Sequence, residues 1–287
     1  MPTTVSVPVA AGALTRRVPS SLGEWAARFD PMTLPVLPAT AAELEALRAL
    51  EDSVDAHTLA EAVADDPLMS LKVMSHVASL RADRDSGEPE SLTGALVMLG
   101  IPPFFAAFPP QQGVDQWFAG RPDALAGFNR VLSRSHRAAR FAIAFAVHRL
   151  DHDASVIHQA ALLHDFAELL LWLEFPELAL EVARLQALDP ALRSAVAQRE
   201  VLGVELNALQ HTLMLRWRLP TLLATFADDH SRRVTAQQAN VRLAVRVARH
   251  SAGGWDNAAL PDDYADIGCL LQLSSQHVRT LLADVDA

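Results

Sequence analysis

The sequence predicts an all-α chain, on three observations. Apolar residues recur at helical spacing, as in Leu178, Val182, Leu185 and Leu188, and again in Val241, Val245 and Ala248. Asp66-Pro67 and Asp189-Pro190 each set a capping acid before a proline at a first helical position. Alternating apolar and polar runs are missing, and Val, Ile, Thr and Tyr never cluster as a strand pair requires; Tyr264 is the single tyrosine. These signals imply about a dozen helices of roughly 8 to 25 residues, joined by short turns containing Pro, Asp or Gly.

Taken in order, residues 1–30 read as an N-terminal arm whose first 20 residues are loose or extended. Residues 31–108 read as an N-terminal helical subdomain, in which Thr40 and Glu43 make a capping box ahead of a Leu-spaced run. Between Gly100 and Pro122 the residues Pro102, Pro103, Pro109, Pro110 and Gly113 interrupt an apolar stretch. Prolines at this density end helices, so residues 109–121 are assigned to a connector and 122–287 to a larger helical bundle. The chain is thus expected to be a two-part helical bundle. Phe104, Phe105, Phe108, Trp117 and Phe118 make the connector region so apolar that something must cover it. An internal contact is the first expectation, and a docking surface for a partner protein the second.

Composition bounds the function. The 287 residues are 51% hydrophobic and 20% charged, a globular balance that needs no disulfide or structural metal. A net charge of -10 argues against nucleic acid as the main partner, because phosphate binding needs local cation excess. The stripes Arg130, Arg134, Arg137 and Arg242, Arg246, Arg249 are read as solvated or salt-bridged helix faces. No apolar run reads as a membrane span and Met1 to Arg17 does not read as a secretory signal. The single cysteine, Cys269, reads as a small core residue and points to a reducing, cytoplasmic setting. No Gly-rich phosphate loop, Ser-His-Asp set or Cys-His pair is evident, and no cofactor is implied.

The sharpest local feature is Leu162-Leu163-His164-Asp165. A His followed by an Asp at the end of an apolar helix can turn both side chains toward one metal, about 100° apart. A buried His hydrogen-bonded to a carboxylate is the plainer alternative.

The surrounding segments resemble the HDOD family, the output-domain branch of the HD metal-hydrolase superfamily. The resemblance rests on Leu34-Pro35-Val36-Leu37-Pro38, Asp66-Pro67-Leu68-Met69-Ser70, and Ser91 to Gly100 in the first part. In the second part it rests on Leu162 to Asp165, Gly203-Val204-Glu205, Trp217-Arg218-Leu219-Pro220 and Asp228-Asp229-His230. It covers about 250 residues, with the segments in the family's order. The resemblance implies a module of bacterial signal transduction, found alone or fused to receiver, kinase or cyclic-dinucleotide domains. With about 30 residues before the match, this chain is expected to act alone.

Catalytic members of the superfamily hold metal with an early His, the His-Asp pair, further His residues and a late Asp. Laid on that pattern, His164 and Asp165 are intact, while the early His falls at Arg134 and the late Asp at Arg249. The His expected after Gly203 is Leu206, and the paired His-His appears as Asp229-His230. His136 and His211 are out of register. Arginine stays protonated and offers no lone pair, so metal hydrolysis is not expected and the His164-Asp165 pair reads as vestigial.

Two consequences stay open for the former metal pocket. Arg134 and Arg249 neutralise Asp165, and with it Glu205 or Asp229, in an ion-pair network beside His230. Alternatively they leave room for an anionic ligand. The functional expectation is a non-catalytic signalling output module with a protein partner. The competing reading is a metal-dependent phosphohydrolase acting on a nucleotide or cyclic dinucleotide, using His164 and Asp165 with His136, Asp229, His230 or His250.

Overall fold

A computed structural model describes residues 18–81, 89–189, 191–228 and 234–286. The chain is all-α, and the one β-bridge among the described residues joins Val36 and Gly113. The first part holds α1 (Leu22–Ala26), α2 (Pro38–Arg48), α3 (Ala56–Ala64), α4 (Pro67–Leu80), α5 (Leu92–Leu99), α6 (Ile101–Ala107) and α7 (Val114–Trp117). The second begins with α8 (Pro122–Arg149), α9 (Ala154–Leu162), α10 (Phe166–Glu174), α11 (Pro176–Leu188) and α12 (Ser194–Leu202). It ends with α13 (Leu206–Arg216), α14 (Thr221–Phe226), α15 (Ala236–His250), α16 (Leu260–Leu271) and α17 (Ser275–Asp286).

The long helix α8 is the axis of the bundle, with α9, α10, α11, α15, α16 and α17 packed against it. Small residues set the closest approach. An added Cβ at Gly127 of α8 would fall 2.2 Å from the Trp172 ring of α10, so only glycine lets that indole lie on the helix. Side chains tie the first part to the bundle at several points. The Trp25 indole, fully buried, donates to the Leu202 carbonyl at 3.2 Å and meets Phe175 edge-on at 4.9 Å. At the end of α3, the Ala64 carbonyl accepts Gln159 at 2.7 Å and the Asp65 carbonyl lies 2.7 Å from His136 Nε2.

Asp66 and Lys72 organise the entry to α4. Asp66 caps the helix through the Leu68 and Met69 N–H groups at 2.9 and 3.0 Å, and it also accepts Leu37 N–H at 2.7 Å. Lys72, the single lysine of the sequence, is buried. It donates to the Leu34 carbonyl at 2.7 Å and to the Gln111 side chain at 2.5 Å. The Leu-Pro entry and the connector are thereby held side by side.

Several sequence expectations need correction. Proline at the first helical position starts α2 at Pro38, so Thr40 lies inside the helix and no capping box forms with Glu43. Asp189 ends α11 and accepts Ala191 N–H at 2.9 Å, and the next helix starts only at Ser194; Pro190 lies outside the described residues. Cys269 is exposed, on the outer face of α16. The stretch Ala154–Glu174 is by length and composition apolar enough to cross a membrane. It is nonetheless split into α9 and α10, and 89% of its 18-residue window is buried.

The connector departs most. Pro102 and Pro103 fall in the first turn of α6, where a missing N–H breaks no helical hydrogen bond, so a helix forms where a break was expected. Phe104, Phe105, Phe108 and Phe118 are buried, and the half-buried Trp117 donates to the Leu173 carbonyl at 3.1 Å. Arg48 closes the cluster by donating to the Phe105 and Phe108 carbonyls at 3.0 and 2.6 Å. These five rings pack inside the chain and do not form a docking surface.

Candidate functional site

The apolar helix α9 ends at Leu162, and His164 and Asp165 follow in the turn before α10. The pair therefore does not project from one helix, as the sequence suggested. The turn bends both side chains inward, so both are buried, with His164 Nδ1 3.1 Å from Asp165 Oδ1.

Two distant arginines converge there. Arg134, on α8, donates Nε and a terminal nitrogen to Asp165 Oδ2 at 3.0 and 2.9 Å. The same terminal nitrogen donates to Glu168 at 2.7 Å. Arg249, near the end of α15, donates to Asp165 Oδ1. Burial pushes the Asp165 carboxyl up, but Arg249 and Arg134 beside it and the His164 hydrogen bond outweigh that and hold it well below the usual carboxylate range. Burial lowers the Arg134 guanidinium, and the Glu168 and Asp165 charges more than reverse this.

Glu168 was not singled out from the sequence. It lies three residues after Asp165, in the first turn of α10, so both carboxylates face α8. That spacing was the available signal. Of the other candidates, Glu205 and Leu206 line the same cleft as Asp165 without bonding to it. Glu205 pairs with Arg199, Leu206 is buried at the cleft edge and His211 is exposed. His250 binds Asp263 at 2.6 Å, and Arg246 binds the other oxygen of Asp263 at 2.7 Å. Asp229 and His230 lie outside the described residues. Of the arginine stripes, Arg137 grips Asp286 at 2.8 Å, Arg242 donates to the Asp228 carbonyl and Arg130 is exposed.

The cluster borders a cleft of about 450 Å³ that is also lined by Gln186, Gln198, Asn207 and Gln210. Among the described residues no three His, Cys, Asp or Glu side chains are placed to hold a metal. The donor set does not fit a divalent ion, because guanidiniums fill two ligand positions and both oxygens of the remaining carboxylate face them.

The HDOD domain model matches residues 34–232. Among solved structures, the MmoQ response regulator from Methylococcus capsulatus str. Bath aligns with a TM-score of 0.64 at 21% identity, covering 87% of this chain and 98% of that one. A virulence factor from Campylobacter jejuni subsp. jejuni aligns with a TM-score of 0.60 at 17% identity, covering 88% and 90%. No curated protein matches. At such identities the two structures show a shared fold, while the domain match spans the Leu34 entry, the Asp66 cap, the His164-Asp165 turn and the Trp217 to Pro220 segment. This chain belongs to the HDOD domain family.

Proposed function

We propose that this chain is a non-catalytic signalling module that works through protein contacts. One observation carries the reading: the carboxylate a dication would need has both oxygens engaged by Arg134 and Arg249. A metal entering there must displace two cations and then sit beside them. At ~4 Å and an effective dielectric near 20, each guanidinium opposes a dication by about 8 kcal/mol. Water activation needs a metal held with an open position, which this donor set does not provide. A signalling role agrees with the HDOD family and with the description of the Methylococcus protein as a response regulator. A protein partner from the same pathway and a cytoplasmic setting belong to the same proposal.

The test is metal analysis of the purified protein, with a phosphodiesterase assay in added manganese or iron. The expected result is no stoichiometric metal and no turnover, with metal binding gained in the double variant Arg134→His, Arg249→Asp. Stoichiometric metal on the unaltered protein with metal-dependent hydrolysis overturns the reading in favour of a phosphohydrolase.

A further inference from the structure

A second cleft, of about 480 Å³, lies between α4 and the end of α13 and shares no lining residue with the Asp165 cleft. One wall carries Arg216 and Arg218, both exposed and with no hydrogen-bond or ion-pair partner for either guanidinium among the described residues. Arg134 and Arg249, by contrast, are both bound to carboxylate. Arg218 has a φ of 51°, the left-handed backbone at which a helix end favours glycine. Leu150 and Gln272 share that conformation, so it marks a helix end; Arg218 is the one of the three that lines this cleft.

The facing wall has the opposite character. Ser75 and Ser79, one turn apart on α4, donate their hydroxyls to the carbonyls of Leu71 at 2.5 Å and His76 at 2.7 Å. Their oxygen lone pairs remain as acceptors. Asp30 adds an anionic acceptor, with one oxygen held by Met32 N–H at 2.9 Å. His76 lies between them, its ring edge-on to Phe108 at 5.3 Å. Burial lowers the pKa of its imidazole, so it adds no charge at neutral pH.

We propose that this cleft binds a phosphate monoester bearing free hydroxyls, a sugar phosphate, with the phosphate on Arg216 and Arg218 and the hydroxyls toward Ser75, Ser79 and Asp30. Two unpaired guanidiniums match the charge of roughly -1.5 to -2 on a phosphate monoester near neutral pH. The cavity has the size of a small-molecule site and exceeds that of a bare ion. A ligand held by α4 and α13 fastens the N-terminal helices to the bundle. The proposal stands whether or not the Asp165 site is catalytic.

Calorimetric titration with ribose 5-phosphate, inorganic phosphate and ribose tests it, together with NMR of the His76 ring. Ribose 5-phosphate is expected to bind and shift the His76 signals, inorganic phosphate to bind at least about tenfold more weakly, and ribose not to bind. Arg216→Gln and Arg218→Gly should each weaken binding about tenfold or more, while Arg130→Gln, at an exposed arginine elsewhere, leaves it unchanged. Arg218→Gly keeps the fold, because glycine suits that backbone. Absence of ribose 5-phosphate binding, or binding indifferent to both variants, overturns the proposal. Equal loss in Arg130→Gln reduces it to general charge attraction, and equal affinity for inorganic phosphate removes the sugar-phosphate assignment; both results overturn it.

Discussion

Replacing Asp165 by Asn removes one charge from a group that is balanced as it stands, Arg134 and Arg249 against Asp165 and Glu168. The Arg134 side chain is 19% exposed and keeps only Glu168, while that of Arg249 is 48% exposed and recovers water. Removing one partner of a buried pair costs about 3–5 kcal/mol, and the half-open side of this one places the loss near ~3 kcal/mol. Unfolding entropy of ~2.1 cal/mol/K per residue gives roughly 0.6 kcal/mol/K for the whole chain, so Tm should fall by about 5 °C. Arg249→Gln leaves Asp165 with Arg134 and should cost about 1 kcal/mol or less, under roughly 2 °C. The pH dependence has a definite sign. The folded Asp165 carboxyl lies below its unfolded value, so its contribution is complete above about pH 5. It fades as the pH falls through about 4 toward the folded pKa. Calorimetric melts of the protein and of Asp165→Asn should therefore differ constantly above pH 5 and converge in acid. An Arg249→Gln cost equal to that of Asp165→Asn, or a gap that widens in acid, refutes the arrangement.

Three further outcomes are expected. Gly127→Ala drives a methyl into Trp172 and should lower stability by about 1–3 kcal/mol, read by denaturant unfolding. Trp25→Phe keeps the ring against Phe175 but leaves the Leu202 carbonyl without its donor, costing about 1–2 kcal/mol by the same measurement; Trp25→Ala should cost about 3–5 kcal/mol. Lys72 has its pKa lowered by burial to about 8, so the unfolded chain binds more protons between pH 8 and 10.5. Stability should accordingly rise across that interval, and Lys72→Met should flatten the rise.

The helical class was readable because period and caps agreed over most of the chain, as at Asp66-Pro67, where the capping oxygen and the proline act on adjacent residues. Proline misled where its position within a helix mattered: Pro102 and Pro103 end helices in an interior but open one in a first turn. The convergence of Arg134 and Arg249 on Asp165 came from the family pattern, since nothing in local spacing links residues 31 and 84 positions apart. Glu168 was missed because the turn at residues 163–165 sets the orientation of α10, and only that orientation brings its carboxylate to Arg134. The cleft at Arg216 and Arg218 depends on docking of α4 against α13, which no pattern along the chain encodes.

The Asp165 cluster also bears on folding kinetics. It fastens α8, α10 and α15 across long sequence separations, and its Arg249 bond closes only once α15 has docked on the pair that Arg134 joins. Contacts formed after the folding barrier oppose escape from the native state without hastening arrival. The Arg249 bond is then expected to act as a late catch, so that Arg249→Gln speeds unfolding while leaving the rate of folding nearly unchanged.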